Sequence, residues 1–349
     1  MTADKRFCSS SFLMYRTITD ETKTFKEGVK PRLFKPDFER EPIENSFQLE
    51  ESLKRQVEKA VSDGKAALAL SGGIDSAILA RFMPKSSTAY TFKCVVPGVQ
   101  VIDETLAAAR IAEECGLKHK IVEIYWEDFE QYAPLLMAHK GAPIHSIEVQ
   151  IYKAGLKAKE DGFERLIFGE SADCLYGGHD KLLSRDWTVG EFIDRYSYVR
   201  PYMALKDFVM VTEPVAKHAK DGFVDVHGFN SDVYFKESVG SYINALQATG
   251  VEFFSPYVNT YLNAKFDIER VRRGDGKYLV REVFKRLYEN FEIPEKIPMP
   301  RPTNEWLKNW SGPKRDEFWP NCTVNMTGDQ KWLVLCLEWF LNLLDDGKI

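Results

Sequence analysis

The six residues 71–76, with the sequence SGGIDS, are of types that could bind the phosphates of a nucleotide. A short apolar run at residues 66–70 precedes them and a helical pattern follows, so they lie where a buried strand passes into a helix. A helix N-terminus offers unpaired N–H groups, glycines let an anion approach the backbone, and serine hydroxyls are further donors. Asp75 would repel phosphate unless a cation lies between them, which indicates Mg²⁺. The alternative is an ordinary turn of small residues.

A second segment, residues 169–178 (GESADCLYGG), follows the predicted strand 165–168. It places Glu170 and Asp173 at the carboxyl end of a strand, where open parallel sheets bind their ligands. Its glycines permit a tight path of the chain around a ligand. The alternative is an acidic loop whose carboxylates are solvated.

The elements that must position these segments alternate between strand and helix. Apolar runs predict strands at residues 66–70, 89–96, 119–124 and 165–168, and helical spacing predicts helices at 50–62, 77–84, 103–115, 127–139 and 147–160. Such repeated units predict an α/β fold with an open parallel sheet covered by helices on both faces. The remainder is mostly helical, with an irregular Pro-, Trp- and Asn-rich stretch at 296–325 and a final helix at about 330–344.

The composition places few further limits on function. The chain has 349 residues, 44% hydrophobic and 28% charged, with a formal net charge of −5, which excludes disorder and disfavours wholesale binding to a phosphate backbone. No apolar run is long enough to span a membrane, and the start MTADKRFCSS lacks the features of a secretory signal. The six cysteines form no C-x-x-C pair, so we expect reduced thiols in a cytoplasmic protein.

Together the two segments resemble the PP-loop ATP pyrophosphatases, which split ATP between its α and β phosphates. The first is not a Walker loop, since no lysine follows its glycines. The asparagine synthetase branch of that family carries S-G-G-[IL]-D-S and later G-E-G-[SA]-D-E-[LV]-[FY]-G-G. Residues 250–259 (GVEFFSPYVN) and 277–282 (KYLVRE) are similar to two further segments of the branch. The resemblance covers about residues 46–290, with the four motifs in the family's order.

This resemblance implies a PP-loop fold of the adenine nucleotide alpha hydrolase type, with the sheet at about residues 60–180 and a helical part at about 186–349. Residues 46–349 would form the synthetase domain, and residues 1–45 an extension similar to the family's inter-domain connector. Glutamine-using members begin with a cysteine nucleophile on a glutaminase domain, for which the chain before the first motif is too short. We therefore expect nitrogen to come as ammonia, from a separate glutaminase, or from an amine on the substrate, as in β-lactam synthetases.

The resemblance also implies roles for single residues. The nucleotide ATP would contact Leu70, Ser71, Gly72, Gly73, Asp75, Ser76, Val95 (or its neighbour Val96) and Gly169. Asp75 and Asp173 would coordinate Mg²⁺. Lys277 would stabilise charge on the phosphates and on the later oxyanion, and Glu170 would accept a proton from the attacking amine. Alternatives stay open, because Leu70 and Val95 are also typical of a core and Lys277 of a solvated helix start.

Four positions depart from the family pattern. Ser171 and Cys174 stand where the family usually has Gly and Glu. Phe254 and Asn259 stand where it usually has Arg and Asp. Phe cannot replace an arginine that clamps a carboxylate, so we do not expect aspartate to be the substrate. Cys174 is expected to be a packed, inert thiol, and His179, after the glycines, is a candidate pocket residue.

The sequence therefore predicts an ATP-dependent amide-forming synthetase. It would adenylate a substrate carboxylate and join it to ammonia or an amine, releasing AMP and pyrophosphate. Two alternatives stay open: a PP-loop ligase that modifies tRNA or transfers sulfur, although neither C-x-x-C nor a basic surface is visible, and a non-catalytic binding protein that keeps the fold. The expected partners are small molecules, without membrane or nucleic acid, and an assembly of identical chains is left open.

Overall fold

Two separate parts of the chain supply the strands of the central sheet. A computed structural model describes residues 1–35, 39–289, 291 and 299–349. Within these residues the strands are β1 (Thr2–Ala3), β2 (Lys23–Thr24), β3 (Glu41–Ile43), β4 (Ala66–Ala69), β5 (Thr88–Cys94), β6 (Lys118–Ile124), β7 (Arg165–Ile167), β8 (Ala219–Lys220), β9 (Phe223–Val224), β10 (Glu252–Phe254) and β11 (Thr260–Leu262). The central sheet has five parallel strands in the order β10-β7-β4-β5-β6.

Helices connect and cover these strands. Within the described residues the α-helices are α1 (Lys5–Tyr15), α2 (Ser46–Ala60), α3 (Ile74–Phe82), α4 (Thr105–Cys115), α5 (Trp126–Lys140), α6 (Ile147–Glu160), α7 (Ala172–Tyr176), α8 (Asp180–Leu183), α9 (Val189–Tyr196), α10 (Pro201–Ala204), α11 (Glu213–Ala216), α12 (Val226–Phe229), α13 (Phe235–Gln247), α14 (Ile268–Arg272), α15 (Tyr278–Leu287), α16 (Thr303–Trp306) and α17 (Gly328–Asp345). A π-helical turn, Asn230–Tyr234, leads into α13.

The side chains of β4 alternate between the two faces of the sheet. Ala66 and Leu68 belong to one hydrophobic core, and Ala67 and Ala69 belong to the other. Helices α3 and α4 pack on the first face, while α6 and α13 pack on the second. A strand buried on both faces carries apolar residues at every position, which explains the continuous run that the sequence shows here.

The predicted α/β architecture is confirmed. The four apolar runs form β4, β5, β6 and β7, and the parallel sheet is followed by a largely helical part. The fifth strand, β10, was not predicted from the sequence. It has only three residues, of which Phe253 and Phe254 are half-buried, and a run this short shows no alternation that separates a strand from a helix.

The order of the strands determines where a ligand can bind. The chain proceeds from β4 outward through β5 to β6, and then returns to place β7 on the other side of β4. Leu68 of β4 therefore pairs in register with Ile167 of β7. The loops that leave these two strands at their carboxyl ends lie side by side, which is where open parallel sheets form a crevice for a ligand.

The N-terminal segment shares the second core with the sheet. Helix α1 begins after Asp4, whose carboxylate accepts a hydrogen bond from the Phe7 N–H at 2.9 Å. Its buried side chains include Phe12 and Leu13, and the helix packs against α17. It ends at Arg16, which has the left-handed φ of 60°. After this ending, Arg16 lies at the wall of the candidate site. The domain boundary near residue 45 stays a prediction.

Two global features complete the fold. Across the described ranges, none of the helices combines the length and the apolar character that crossing a membrane requires. The six cysteines all lie in those ranges as free thiols. A cytoplasmic location stays a prediction.

Candidate active site

The loop between β4 and α3 contains the predicted phosphate-binding residues. The Ser71 N–H donates to Ser76 Oγ at 3.0 Å, and the two serine hydroxyl oxygens lie 2.9 Å apart. The Gly73 N–H donates to Ser71 Oγ at 3.1 Å. Helix α3 begins directly after Gly73, which has no side chain to cap the helix. This loop therefore presents a helix N-terminus and two hydroxyls to an anion.

Two glycines hold this loop against its neighbours. A Cβ on Gly169 would lie 2.8 Å from the backbone nitrogen of Ser76. A Cβ on Gly72 would lie 2.7 Å from the Cβ of Ala107. The loop after β7 and the start of α4 can therefore approach the phosphate loop only because these positions are glycine.

A buried lysine joins the two predicted metal ligands. Lys277 Nζ lies 2.7 and 2.6 Å from the two carboxylate oxygens of Asp75 and 2.9 Å from Asp173 Oδ1. Burial disfavours the ammonium, but the carboxylates of Asp173 and Asp75 outweigh it and raise the pKa of Lys277. Lys277 is therefore a cation at neutral pH. It also has a left-handed φ of 54° just before α15, a strained conformation of the kind found at functional sites.

The donor set of Asp75 and Asp173 fits a cation that arrives with a nucleotide. Mg²⁺ is usually held by one or two carboxylates together with phosphate oxygens and water. The two side chains are 19% and 31% exposed, so their oxygens are accessible from the cavity. Within the described part of the chain, no three His, Cys, Asp or Glu side chains are grouped to hold a metal. Phosphate would have to complete the coordination, and Mg²⁺ stays a prediction.

Glu170 is held in one orientation beside these groups. Its Oε1 accepts a hydrogen bond from Ser238 Oγ at 2.8 Å, and its backbone oxygen accepts one from Ser255 Oγ at 2.8 Å. Burial raises the pKa of Glu170, while hydrogen bonds from Ser238 and Tyr242 to its carboxylate act in the opposite direction. A carboxylate with a raised pKa is a stronger base than an exposed one, as proton transfer from an amine requires.

Two of the departures from the family pattern lie next to Glu170. Cys174 is 1% exposed, and its Sγ donates to the Ser171 carbonyl at 3.3 Å. The thiol is packed, as the sequence predicted, and burial raises its pKa well above the usual range, which disfavours the reactive thiolate. Ser171 has a left-handed φ of 74°, and its buried Oγ has no hydrogen-bond partner among the described residues.

These segments line one cavity of about 450 Å³, a size that suits a small-molecule site. Most of the predicted site residues are in its wall: Leu70, Ser71, Gly73, Asp75, Ser76, Gly169, Glu170, Asp173 and Lys277. His179 lines it as well.

Two predicted nucleotide contacts are not in the described wall. Gly72 is buried behind the loop, where its N–H donates to the Glu104 carboxylate. The Val95 N–H donates to the Ile124 carbonyl at 2.8 Å, which extends the β5–β6 ladder. The side chains of Thr91 and Phe92, slightly earlier on the strand, line the cavity instead.

Several wall residues were not identified from the sequence. They are Arg16, Glu104, His145, Tyr234, Ser238, Tyr242, Arg281 and Arg301. Arg281 belongs to the KYLVRE segment and Glu104 to an acidic helix start, so a local signal existed for these two. The others come from segments without a motif, and only the folded chain brings them together.

Comparison with known proteins gives two matches in sequence. Residues 48–232 match the model of the family described as asparagine synthase. A putative glutamine-hydrolysing asparagine synthetase of Methanocaldococcus jannaschii is 29% identical over 157 residues. The matched segment is 44% of this chain and 28% of that protein, so this chain aligns with well under half of the relative's length.

Solved structures give weaker similarities. An ammonia-dependent NAD synthetase of Campylobacter jejuni is 13% identical, with a TM-score of 0.26 over 73% of this chain and 100% of that one. An NMN synthetase of Francisella tularensis is 13% identical, with a TM-score of 0.28 over 72% and 98%. A U34-tRNA thiolase of Methanococcus maripaludis is 17% identical, with a TM-score of 0.26 over 71% and 82%. Scores this low do not establish a shared fold.

Proposed function

Since this chain belongs to the asparagine synthase family, we propose that it is an ATP-dependent ligase that activates a carboxylate as its adenylate and joins it to nitrogen. One observation carries the proposal: Lys277 binds Asp75 of the phosphate loop and Asp173 of the loop after β7. The wall of the same cavity contains Glu170. The groups proposed to bind phosphate, to stabilise charge and to accept a proton therefore line one cavity.

In the first step a substrate carboxylate oxygen attacks the α phosphorus of ATP. The bond to the bridging oxygen of the β phosphate breaks, and pyrophosphate leaves with that electron pair. Ser71, Ser76 and the N–H groups at the start of α3 would bind the pyrophosphate, and Lys277 would stabilise its growing charge. Mg²⁺, held by Asp75 and Asp173, would neutralise further phosphate charge.

In the second step ammonia or an amine attacks the carbonyl carbon of the adenylate. The nitrogen becomes positively charged as the C–N bond forms, so a proton must leave it. Glu170 would accept that proton, because its hydrogen bonds to Ser238 and Tyr242 hold the carboxylate toward the cavity. AMP then leaves and the amide remains. The departure at Phe254 favours an acid other than aspartate, and the nitrogen source is ammonia, a separate glutaminase or a substrate amine.

The test separates the two steps in one protein. With Mg-ATP, a panel of carboxylic acids and ammonia, the wild type should release AMP and pyrophosphate and form an amide. Glu170→Gln should keep adenylation, measured as exchange of labelled pyrophosphate into ATP, but lose about 10²–10⁴-fold in amide formation. Glu164→Gln, at an exposed site just before β7, is the control and should keep both activities.

The pH profile gives a second readout of the same residue. Glu170 must be ionised to accept a proton, and burial raises its pKa. The amide-forming rate should therefore fall, as pH is lowered, at a higher pH than an ordinary carboxyl group would give. Absence of AMP and pyrophosphate with every acid would contradict the proposed function. An unchanged amide rate in Glu170→Gln would remove the role of this residue.

A further inference from the structure

One carboxyl group of the cavity wall has no cation beside it within the described part of the chain. Glu104, the residue just before α4, lines the cavity and is only 9% exposed. The charged neighbour that acts on its pKa is Asp103, which has the same sign. A buried carboxylate without a cation is costly. Glu104 therefore differs from Asp75 and Asp173, which share the ammonium of Lys277.

Glu104 lies directly behind the phosphate loop. The Gly72 N–H donates to its carboxylate, and a Cβ on Gly72 would lie 3.6 Å from the Cβ of Glu104. Gly72 follows Ser71 and precedes the start of α3, the groups proposed to bind pyrophosphate. Consecutive Cα atoms are about 3.8 Å apart, so phosphate bound by the loop would be a close neighbour of this carboxylate.

A bound nucleotide would therefore bring two negative groups into one poorly solvated space. The hydrogen bond from Gly72 favours the ionised form of Glu104, but burial and the charge of Asp103 oppose it and raise the pKa to about 7. Like charges repel more strongly inside a protein than in water. Phosphate at the loop adds negative charge, so it favours the neutral form of Glu104 still further.

The groups around α4 do not neutralise this charge. The helix packs against α3, β5 and β6. Lys93 of β5 lies 3.9 Å from Asp103, and Arg81 of α3 pairs with Glu114 at 3.3 Å. The other titratable side chains of the four elements are Asp75, Tyr90, Cys94, Arg110, Glu113, Cys115, Lys118, His119, Lys120 and Glu123. Among the described residues, none of the cations in this set forms a salt bridge with Glu104.

We propose that Glu104 takes up a proton when ATP occupies the phosphate loop, so that the nucleotide is bound beside a neutral carboxyl group. This inference rests on the proposed function, which places the phosphates of ATP at the loop. The proton comes from solvent, and the O–H bond of the carboxyl group is the only covalent bond that forms. One carboxyl oxygen would keep the hydrogen bond from the Gly72 N–H, which holds the loop in place.

The sign of the pH dependence follows from this linkage. The complex would hold the proton more tightly than the free protein does. The affinity for ATP is therefore highest while Glu104 is already protonated in the free protein, and it falls as pH rises through about 7.

Calorimetric titration of ATP into the wild-type protein measures the proton directly. At pH 8, with Mg²⁺ present, the binding heat is compared in two buffers that differ in their ionisation enthalpy. The difference should correspond to the uptake of up to about one proton per ATP bound. Adenosine, which carries no phosphate, should bind without this uptake. The measurement needs no variant, so it does not depend on the folding of one.

Glu104→Gln then assigns the proton to this residue. Glutamine has nearly the same shape, stays neutral and can still accept the hydrogen bond from the Gly72 N–H. Relative to this variant, the wild-type affinity for ATP should fall by up to about 10-fold between pH 6 and pH 8, since ionisation of ATP itself is common to both proteins. The variant should show no proton uptake at pH 8. Glu113→Gln, exposed on α4, is the control and should match the wild type.

The outcomes separate this inference from the proposed function. ATP binding without proton uptake, or with the same pH dependence in Glu104→Gln, overturns the inference. Weaker ATP binding at pH 8 by a folded Glu104→Gln also overturns it, because the loop would then need the negative charge. In these cases the ligase stands if an acid still supports pyrophosphate–ATP exchange. Proton-linked ATP binding without exchange for any acid supports the inference and contradicts the proposed function, and absence of ATP binding contradicts both.

Discussion

Two regions of one cavity carry opposite charge. The reacting end is formed by Asp75, Asp173, Glu170 and Lys277: the Lys277 ammonium pairs with the carboxylates of Asp75 and Asp173, and Glu170 lines the same cavity. Another part of the wall contains Arg16 and Arg301, and the buried carboxylate of Glu237 pairs with Arg16. Among the described residues, the first region contains more carboxylates than cations and the second more guanidinium groups than carboxylates, so ATP would need a cation at the first region.

The largest effect is expected from a substitution of Lys277 at the reacting end. Lys277→Met removes the ammonium that faces the pyrophosphate and leaves Asp75 and Asp173 without their shared cation. Loss of one preorganised charge-stabilising group typically costs about 10²–10³-fold in rate, and we expect a loss of this size in pyrophosphate–ATP exchange. The buried ion pairs also contribute to stability, so the free energy of unfolding should be measured beside the rate.

A matched lysine shows whether this effect is local. Lys236→Met removes an ammonium that is 43% exposed and bound to Asp232 at 2.7 Å, away from the cavity wall. It should keep the wild-type exchange rate. A loss below 10-fold in a folded Lys277→Met would show that the reacting end does not depend on Lys277.

The residues of the first region could be predicted from the sequence, and those of the second could not. Asp75 and Glu170 lie in continuous motifs that leave neighbouring strands, so the periodic pattern and the motif together place them at one edge of the sheet. Arg16 and Arg301 belong to no motif and line the same cavity only because α1 and the C-terminal segment pack on the sheet. Val95 shows the limit at the scale of single residues. A strand pattern predicts only to within a few residues which side chains reach the ligand. Thr91 and Phe92, and not Val95, line the cavity.

A second prediction concerns the protonation of Glu104, in the wall of the same cavity, near neutral pH. Burial raises the pKa of Glu104 to about 7, although the hydrogen bond from the Gly72 N–H acts to lower it. The folded protein therefore holds this proton more tightly than the unfolded chain does. The stabilisation is complete below the usual carboxyl pKa and is lost as pH rises through about 7.

Glu104→Gln cannot lose a proton and should remove this pH dependence. The variant should gain stability over the wild type as pH rises from 5 to 8, by up to about 3 kcal/mol in the free energy of unfolding. Urea unfolding at several pH values measures the difference. Glu113→Gln, exposed on the same helix α4, should follow the wild-type curve. A constant offset between Glu104→Gln and the wild type at every pH would contradict a buried, titrating carboxyl group beside the phosphate loop.

The smallest expected effect concerns the serine between the two acidic residues of the second motif. Ser171 has a φ of 74°, a left-handed conformation that costs a residue with a Cβ about 1 kcal/mol more than glycine, and its buried hydroxyl has no partner among the described residues. Ser171→Gly should therefore raise the free energy of unfolding by about 1 kcal/mol. Ser86→Gly is the matched control, because Ser86 has a φ of 65° but an exposed side chain. The gain should be larger at Ser171, since only there is an unpaired hydroxyl also removed from the interior. A loss of stability in Ser171→Gly would instead mean that the serine contributes a contact at the reacting end that outweighs its backbone strain.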